Sequence, residues 1–152
     1  MKVLLVEDEE HKANDLIGRM LAKGISSDSL VHVSGVRQAV LEVSLNNFDL
    51  VIVDMALPTF SAERHDGSAG GNDQAVGGIE VLRALKNLGR STKVIIVTQF
   101  PDVIVGGNRV RLQQSARVLG GKYAQDVLGA VLYSYKTPGW EAAFDALLGR
   151  AQ

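Results

Sequence analysis

Residues 48–58 read Phe48-Asp49-Leu50-Val51-Ile52-Val53-Asp54-Met55-Ala56-Leu57-Pro58. The run from Phe48 to Val53 is almost continuously apolar, as in a strand covered on both faces; a strand with one wet face alternates instead. Lys2 to Val6 and Lys93 to Val97 repeat the pattern, and Ser29 to Val33 and Ala130 to Tyr135 complete a set of five predicted strands. Helical stripes lie between them. Glu10 to Leu21 lines up Ala13, Leu16, Ile17 and Met20; Val36 to Leu45 lines up Val36, Ala39, Val40 and Val43. Ile79 to Leu88 carries Ile79, Leu82 and Leu85 with Gly89 as a stop, and Trp140 to Leu148 forms the last helix. Strands alternating with helices imply right-handed βα crossovers, hence an α/β fold with a doubly wound, five-stranded parallel sheet. Ligands in such sheets sit at the carboxyl ends of the strands, where the strand order reverses.

Length and composition bound the rest. A chain of 152 residues, 46% of them hydrophobic, can bury the core of one domain, here residues 1–152. The formal net charge of -1 and the lack of a basic run give no footprint for nucleic acid or an anionic membrane. The absence of cysteine excludes disulfides and thiolate catalysis, and the apolar run Val3 to Val6 is too short for a signal or membrane segment. A cytoplasmic protein is expected. Two segments fit no minimal βα repeat. Thr59 to Gly78 reads as a long loop. Phe100 to Gly121 reads as an irregular stretch broken at Gly106-Gly107, then a helix carrying Val110, Leu112, Ala116 and Leu119 before a second break at Gly120-Gly121.

Glu7 and Asp8 follow the first strand and Asp54 ends the third. The first and third strands of a doubly wound sheet are neighbours, so three carboxylates meet at the ligand-binding edge. Like charges so placed oppose folding unless something neutralises them, and Mg2+ suits an open cluster of a few carboxylates, waters and phosphate oxygens. Thr98 ends the fourth strand and Lys136 the fifth, a hydroxyl and an ammonium suited to phosphoryl oxygens. An Asp carboxylate can itself be the nucleophile. Taken singly, an acid after a strand is as often a helix cap and an isolated Lys a solvated charge; it is the five residues at these four strand ends together that point to phosphoryl transfer.

These residues resemble a known family. Val3-Leu-Leu-Val-Glu7-Asp8, Val51-Ile-Val-Asp54-Met-Ala-Leu-Pro58, Gly78-Ile-Glu-Val-Leu82-Arg, Val94-Ile-Ile-Val-Thr98 and Gly129-Ala130 leading to Tyr133 and Lys136 are similar, in order and spacing, to the response-regulator receiver domain. The resemblance implies a flavodoxin-like strand order 2-1-3-4-5. It implies Asp54 as phosphoacceptor, and Mg2+ held by Glu7, Asp8, Asp54 and the Ala56 carbonyl. It further implies Thr98 and Lys136 on the phosphoryl group, and Tyr133 as the switch aromatic that follows Thr98 inward. The implied partners are a sensor histidine kinase or phosphotransfer protein and a downstream protein target; whether two copies pair is left open. Such a domain catalyses its own phosphorylation and dephosphorylation rather than turning over a substrate.

Several residues depart from the family pattern. Thr137 intervenes between Lys136 and Pro138, Gln99 stands where a small residue is usual, and segments 59–78 and 100–121 read as insertions. A pseudo-receiver that binds partners without phosphorylation is the alternative these departures support. A metal-dependent phosphatase is weaker, since Ala56 stands where its second catalytic acid belongs. His65, Asp66 and Asp73 read as solvated loop residues, and His11 and His32 as structural or exposed.

Overall fold

The computed structural model describes residues 1–57 and 77–152. Pro58, His65, Asp66, Asp73 and nearly all of the first predicted insertion lie outside the described residues. The elements are β1 (Val3–Val6), α1 (Glu10–Ala22), β2 (Leu30–Val33), α2 (Val36–Leu45), β3 (Leu50–Val53), α3 (Gly77–Asn87), β4 (Lys93–Thr98), β5 (Asp102–Val105), β6 (Asn108–Arg111), α4 (Leu112–Tyr123), β7 (Asp126–Leu132) and α5 (Trp140–Ala151). All-parallel pairing in the order β2-β1-β3-β4-β7 builds the main sheet, which is the predicted order with β7 as fifth strand.

Strand alternation sends side chains to two separate cores. Leu4, Val6, Val51, Val53, Val94 and Ile96 pack under α2, α3 and α4. Val3, Leu5, Leu50, Ile52, Ile95 and Val97 pack under α1 and α5. Both faces of β1, β3 and β4 are therefore dry, which is why these strands read as unbroken apolar runs.

Two departures from expectation bear on the site. The segment after β4 is a two-stranded antiparallel hairpin, β5-β6, rather than irregular chain. Gly106 and Gly107 form its turn with φ of 58° and 82°, the double left-handed conformation of a tight hairpin turn. Val103 and Val105 point from it into the core beside α4. The Gly120-Gly121 pair is not a break; it lies inside α4.

The second departure is the fifth sheet strand, expected over Ala130 to Tyr135 but running Asp126–Leu132. Its register is set by pairing with β4, with a shift between Val94 and Ile95 and with Thr98 opposite Leu132. Tyr133, not Lys136, is thus the first residue past the strand end, and its N–H donates to the Thr98 carbonyl at 2.8 Å.

Candidate functional site at the carboxyl edge of the sheet

The chain leaves β1 for β2 on one side and returns as β3 on the other, so the order reverses at β1. Val6 pairs with Val53, which puts Glu7 and Asp54 side by side just past the paired strands. The Glu7 N–H donates to the Val33 carbonyl at 3.0 Å, and the Glu7 carbonyl accepts from His32 Nε2, also at 3.0 Å. Only a protonated Nε2 can make that bond, so His32 takes the structural role among the readings its sequence context left open. One carboxylate oxygen each of Glu7, Asp8 and Asp54 lies within 4.8 Å of the others. Glu7 and Asp54 are buried, at 2% and 7% exposure, while Asp8 is exposed.

Sequence reading missed one member of the site. Lys12, on the first turn of α1, is fully buried. Its Nζ lies 2.8 Å from Glu7 Oε1, 2.8 Å from Asp54 Oδ2 and 2.9 Å from the Val97 carbonyl. The remaining oxygens are held as well: Asp54 Oδ1 accepts from the Ala56 N–H at 2.9 Å, and Glu7 Oε2 from the Glu9 N–H at 3.1 Å. A carboxylate oxygen has two lone-pair directions, so each keeps one for another ligand. The Asp8 carboxylate has no protein partner among the described residues. The donor set therefore fits a hard cation, with the exposed Asp8 carboxylate as its solvent-facing ligand.

Thr98 is buried, and its Oγ1 accepts the Phe100 N–H at 3.3 Å, which leaves the hydroxyl proton free to donate. Tyr133 is buried beside it, 2% exposed. Its hydroxyl donates to Asp15 Oδ2 at 2.5 Å, and its ring stacks at a tilt on Trp140, 5.0 Å between centroids. The Lys12 ammonium lies 5.8 Å from the Tyr133 centroid. Lys136 is elsewhere: exposed in the loop beyond β7, its Nζ 5.7 Å from the Tyr135 ring, and in none of the ion pairs among the described residues. Gln99 is likewise exposed and tied to Glu9 Oε2 at 3.1 Å, joining the loops after β4 and β1.

No family model matches the chain. It is 27% identical over 143 residues to protein y4jR of Sinorhizobium fredii, covering 94% of this chain and 93% of that one. It is 26% identical over 134 residues to the Detocs response regulatory protein DtcB of Vibrio alginolyticus, covering 88% and 89%. Among solved structures, it superposes with a TM-score of 0.65 and 16% identity on the N-terminal domain of a response regulator/sensory box/GGDEF protein from Carboxydothermus hydrogenoformans, over 99% of this chain and 93% of that one. With response regulator TrrA of Thermotoga maritima, solved in complex with Mg2+-BeF, the TM-score is 0.58 at 18% identity over 97% and 99%. This chain has the fold of a response-regulator receiver domain.

Within the receiver fold, three strand-end positions are filled as expected from the sequence and one is not. Glu7-Asp8, Asp54 and Thr98 stand together at the edge. The fifth strand end holds Tyr133, its ring inside and its hydroxyl on Asp15. No helix among the described residues is long and apolar enough to cross a membrane.

The electrostatics make a pH prediction. Burial pushes the Glu7 carboxyl up from an ordinary 4.5 to about 7; Lys12 pulls it down and Asp54 adds to the rise. A carboxyl whose folded value is raised keeps its proton after the unfolded chain has lost it. Its contribution is therefore full below 4.5 and lost as pH rises to about 7. Without divalent cations, denaturant unfolding should show stability declining across that interval, and Glu7→Gln should flatten the decline. An equal slope in the variant would assign it to other groups.

Proposed function

We propose that the protein is a receiver in a two-component phosphorelay. Asp54 accepts a phosphoryl group from a phosphohistidine on a sensor kinase or phosphotransfer protein, and the modified edge alters a surface read by a downstream protein. One observation carries the reading: the Glu7, Asp8 and Asp54 carboxylates converge within 4.8 Å at the point of strand-order reversal, with Thr98 on the adjacent strand end. Glu7, Asp8, Asp54 and the Ala56 carbonyl would hold Mg2+, which supplies charge neutralisation for the transferring phosphoryl group. The chain's own residues do the rest. The Asp54 carboxylate is held with Oδ1 on the Ala56 N–H and Oδ2 on Lys12; a P–O bond to one of its oxygens forms as the P–N bond breaks and the electron pair leaves with the imidazole. Thr98 donates its free hydroxyl proton to a phosphoryl oxygen.

The test is intact mass after incubation with acetyl phosphate and Mg2+. Wild type should gain one phosphoryl group, and neither Asp54→Asn nor wild type in EDTA should gain any. A second reading has one observation in its favour: Lys12 already neutralises part of the acidic cluster, as a pseudo-receiver would need. A wild type with no adduct and no Mg2+ binding would be its result.

A further inference from the structure

The receiver reading needs a fixed cation on the phosphoryl group, and the residue expected there from sequence, Lys136, lies in an exposed loop. Resting on Asp54 as phosphoacceptor, we propose that Lys12 of α1 is the cation that holds the phosphoryl group, and that Lys136 is not required.

Position is the first argument. Lys12 Nζ is 2.8 Å from Asp54 Oδ2, the side chain that would carry the group, and also binds Glu7 Oε1 and the Val97 carbonyl. Three acceptors use the three protons of an ammonium, so its direction is determined. Side is the second. The Val97 carbonyl on β4 and the Tyr133 ring past β7 place the ammonium toward β4 and β7, and the exposed Asp8 carboxylate, which has no partner among the described residues, is left for a metal. The third argument is that Tyr133 fills the strand end where Lys136 was expected, leaving no lysine there. The fourth is support: the Lys12 stem lies on the α1 stripe with Leu16 and Met20, so it cannot swing out to water without opening the core.

In the transfer, the Asp54 oxygen forms its bond to phosphorus as the donor's bond to phosphorus breaks with its electron pair. Negative charge moves from the carboxylate onto the phosphoryl oxygens. Lys12 shifts one N–H from Asp54 Oδ2 to a phosphoryl oxygen and keeps Glu7 and the Val97 carbonyl as anchors, so no proton changes owner. The site is dry on this side, where such a donor acts most strongly.

The experiment compares Lys12→Met and Lys136→Ala with wild type, by phosphoryl uptake from acetyl phosphate with Mg2+ and by calorimetric Mg2+ titration. Lys12→Met should lose about 100-fold in uptake rate, the scale for removing one preorganised donor. Its Mg2+ affinity should rise, because a cation has left the carboxylates; a misfolded variant would lose both. Lys136→Ala should match wild type. Wild-type uptake in Lys12→Met, or loss in Lys136→Ala, would overturn the assignment. Should Lys12→Met not fold, the exposed Lys136 site still decides. Uptake absent from wild type would remove the receiver reading itself, a different result from uptake that ignores Lys12.

Discussion

Lys12→Ala is expected to lose about 3–5 kcal/mol of folding stability in EDTA, the range for removing one partner of a buried ion pair. The alanine leaves Glu7 and Asp54 facing each other, 2% and 7% exposed, without the ammonium that bridges them. It also leaves the Val97 carbonyl without its lysine donor and opens space on the buried stripe of α1. The charge component is separable from the cavity. Mg2+ binding only the folded state stabilises it by mass action, so millimolar Mg2+ should return part of the loss in Lys12→Ala and add less to wild type. Glu7→Gln in the same background should also recover stability by removing one of the two facing charges. Urea denaturation of the three proteins with and without Mg2+ reads these differences. A loss within about 0.5 kcal/mol, the range of surface substitutions, would show that the buried pair contributes nothing net.

Gly78→Ala is the second large effect, and its sign opposes helix propensity. Alanine inside a helix is about 1 kcal/mol better than glycine. At Gly78, however, the new Cβ would stand 2.6 Å from Met55 Cα and 2.7 Å from the Asp54 carbonyl, both backbone. Gly77 is packed as tightly, 2.5 Å from the Leu57 carbonyl, to which its own N–H donates at 2.7 Å. The start of α3 lies directly on the segment that carries Asp54 and Ala56, and side-chain rotation cannot relieve the clash. Destabilisation of about 1–3 kcal/mol is expected, as for other overpacked sites, with lower Mg2+ affinity because residues 54–56 must move. Gly18→Ala on α1, with nothing within 4 Å of the new Cβ, is the control and should be neutral or stabilising. Equal behaviour of the two variants in urea would mean the close approach of α3 to β3 is not a constraint.

Both predictions turn on features that sequence reading treats unevenly. The approach at Gly78 was legible only as a resemblance, a Gly-Ile-Glu-Val-Leu stretch after the predicted insertion that follows Asp54, without its reason. Lys12 was overlooked because a lysine beside Ala13 and Leu16 reads as the wet flank of an amphipathic helix. The available signal was spacing: Lys12, Leu16 and Met20 follow at intervals of four, so Lys12 falls on the buried stripe. The hairpin was legible too, in Val103 and Val105 alternating ahead of Gly106-Gly107, a pattern that reads locally as a break in irregular chain.

By itself the sequence determined the parallel sheet and the acidic cluster, and its resemblance to the receiver domain implied the strand order. Doubly buried strands must be apolar throughout, and the residue that ends such a strand is placed by the strand; Glu7, Asp54 and Thr98 needed no further information. Tertiary structure decided the cation. β7 takes its register from β4, through an irregularity beside Val94 and Ile95, and that pairing ends the strand at Leu132. Tyr133 then takes the place that local reading had given to Lys136. The ammonium beside Asp54 comes instead from a helix, because a four-carbon side chain can reach a strand end from a neighbouring element. Which lysine does so depends on how α1 packs against β1 and β3, and no local pattern in the chain encodes that distance.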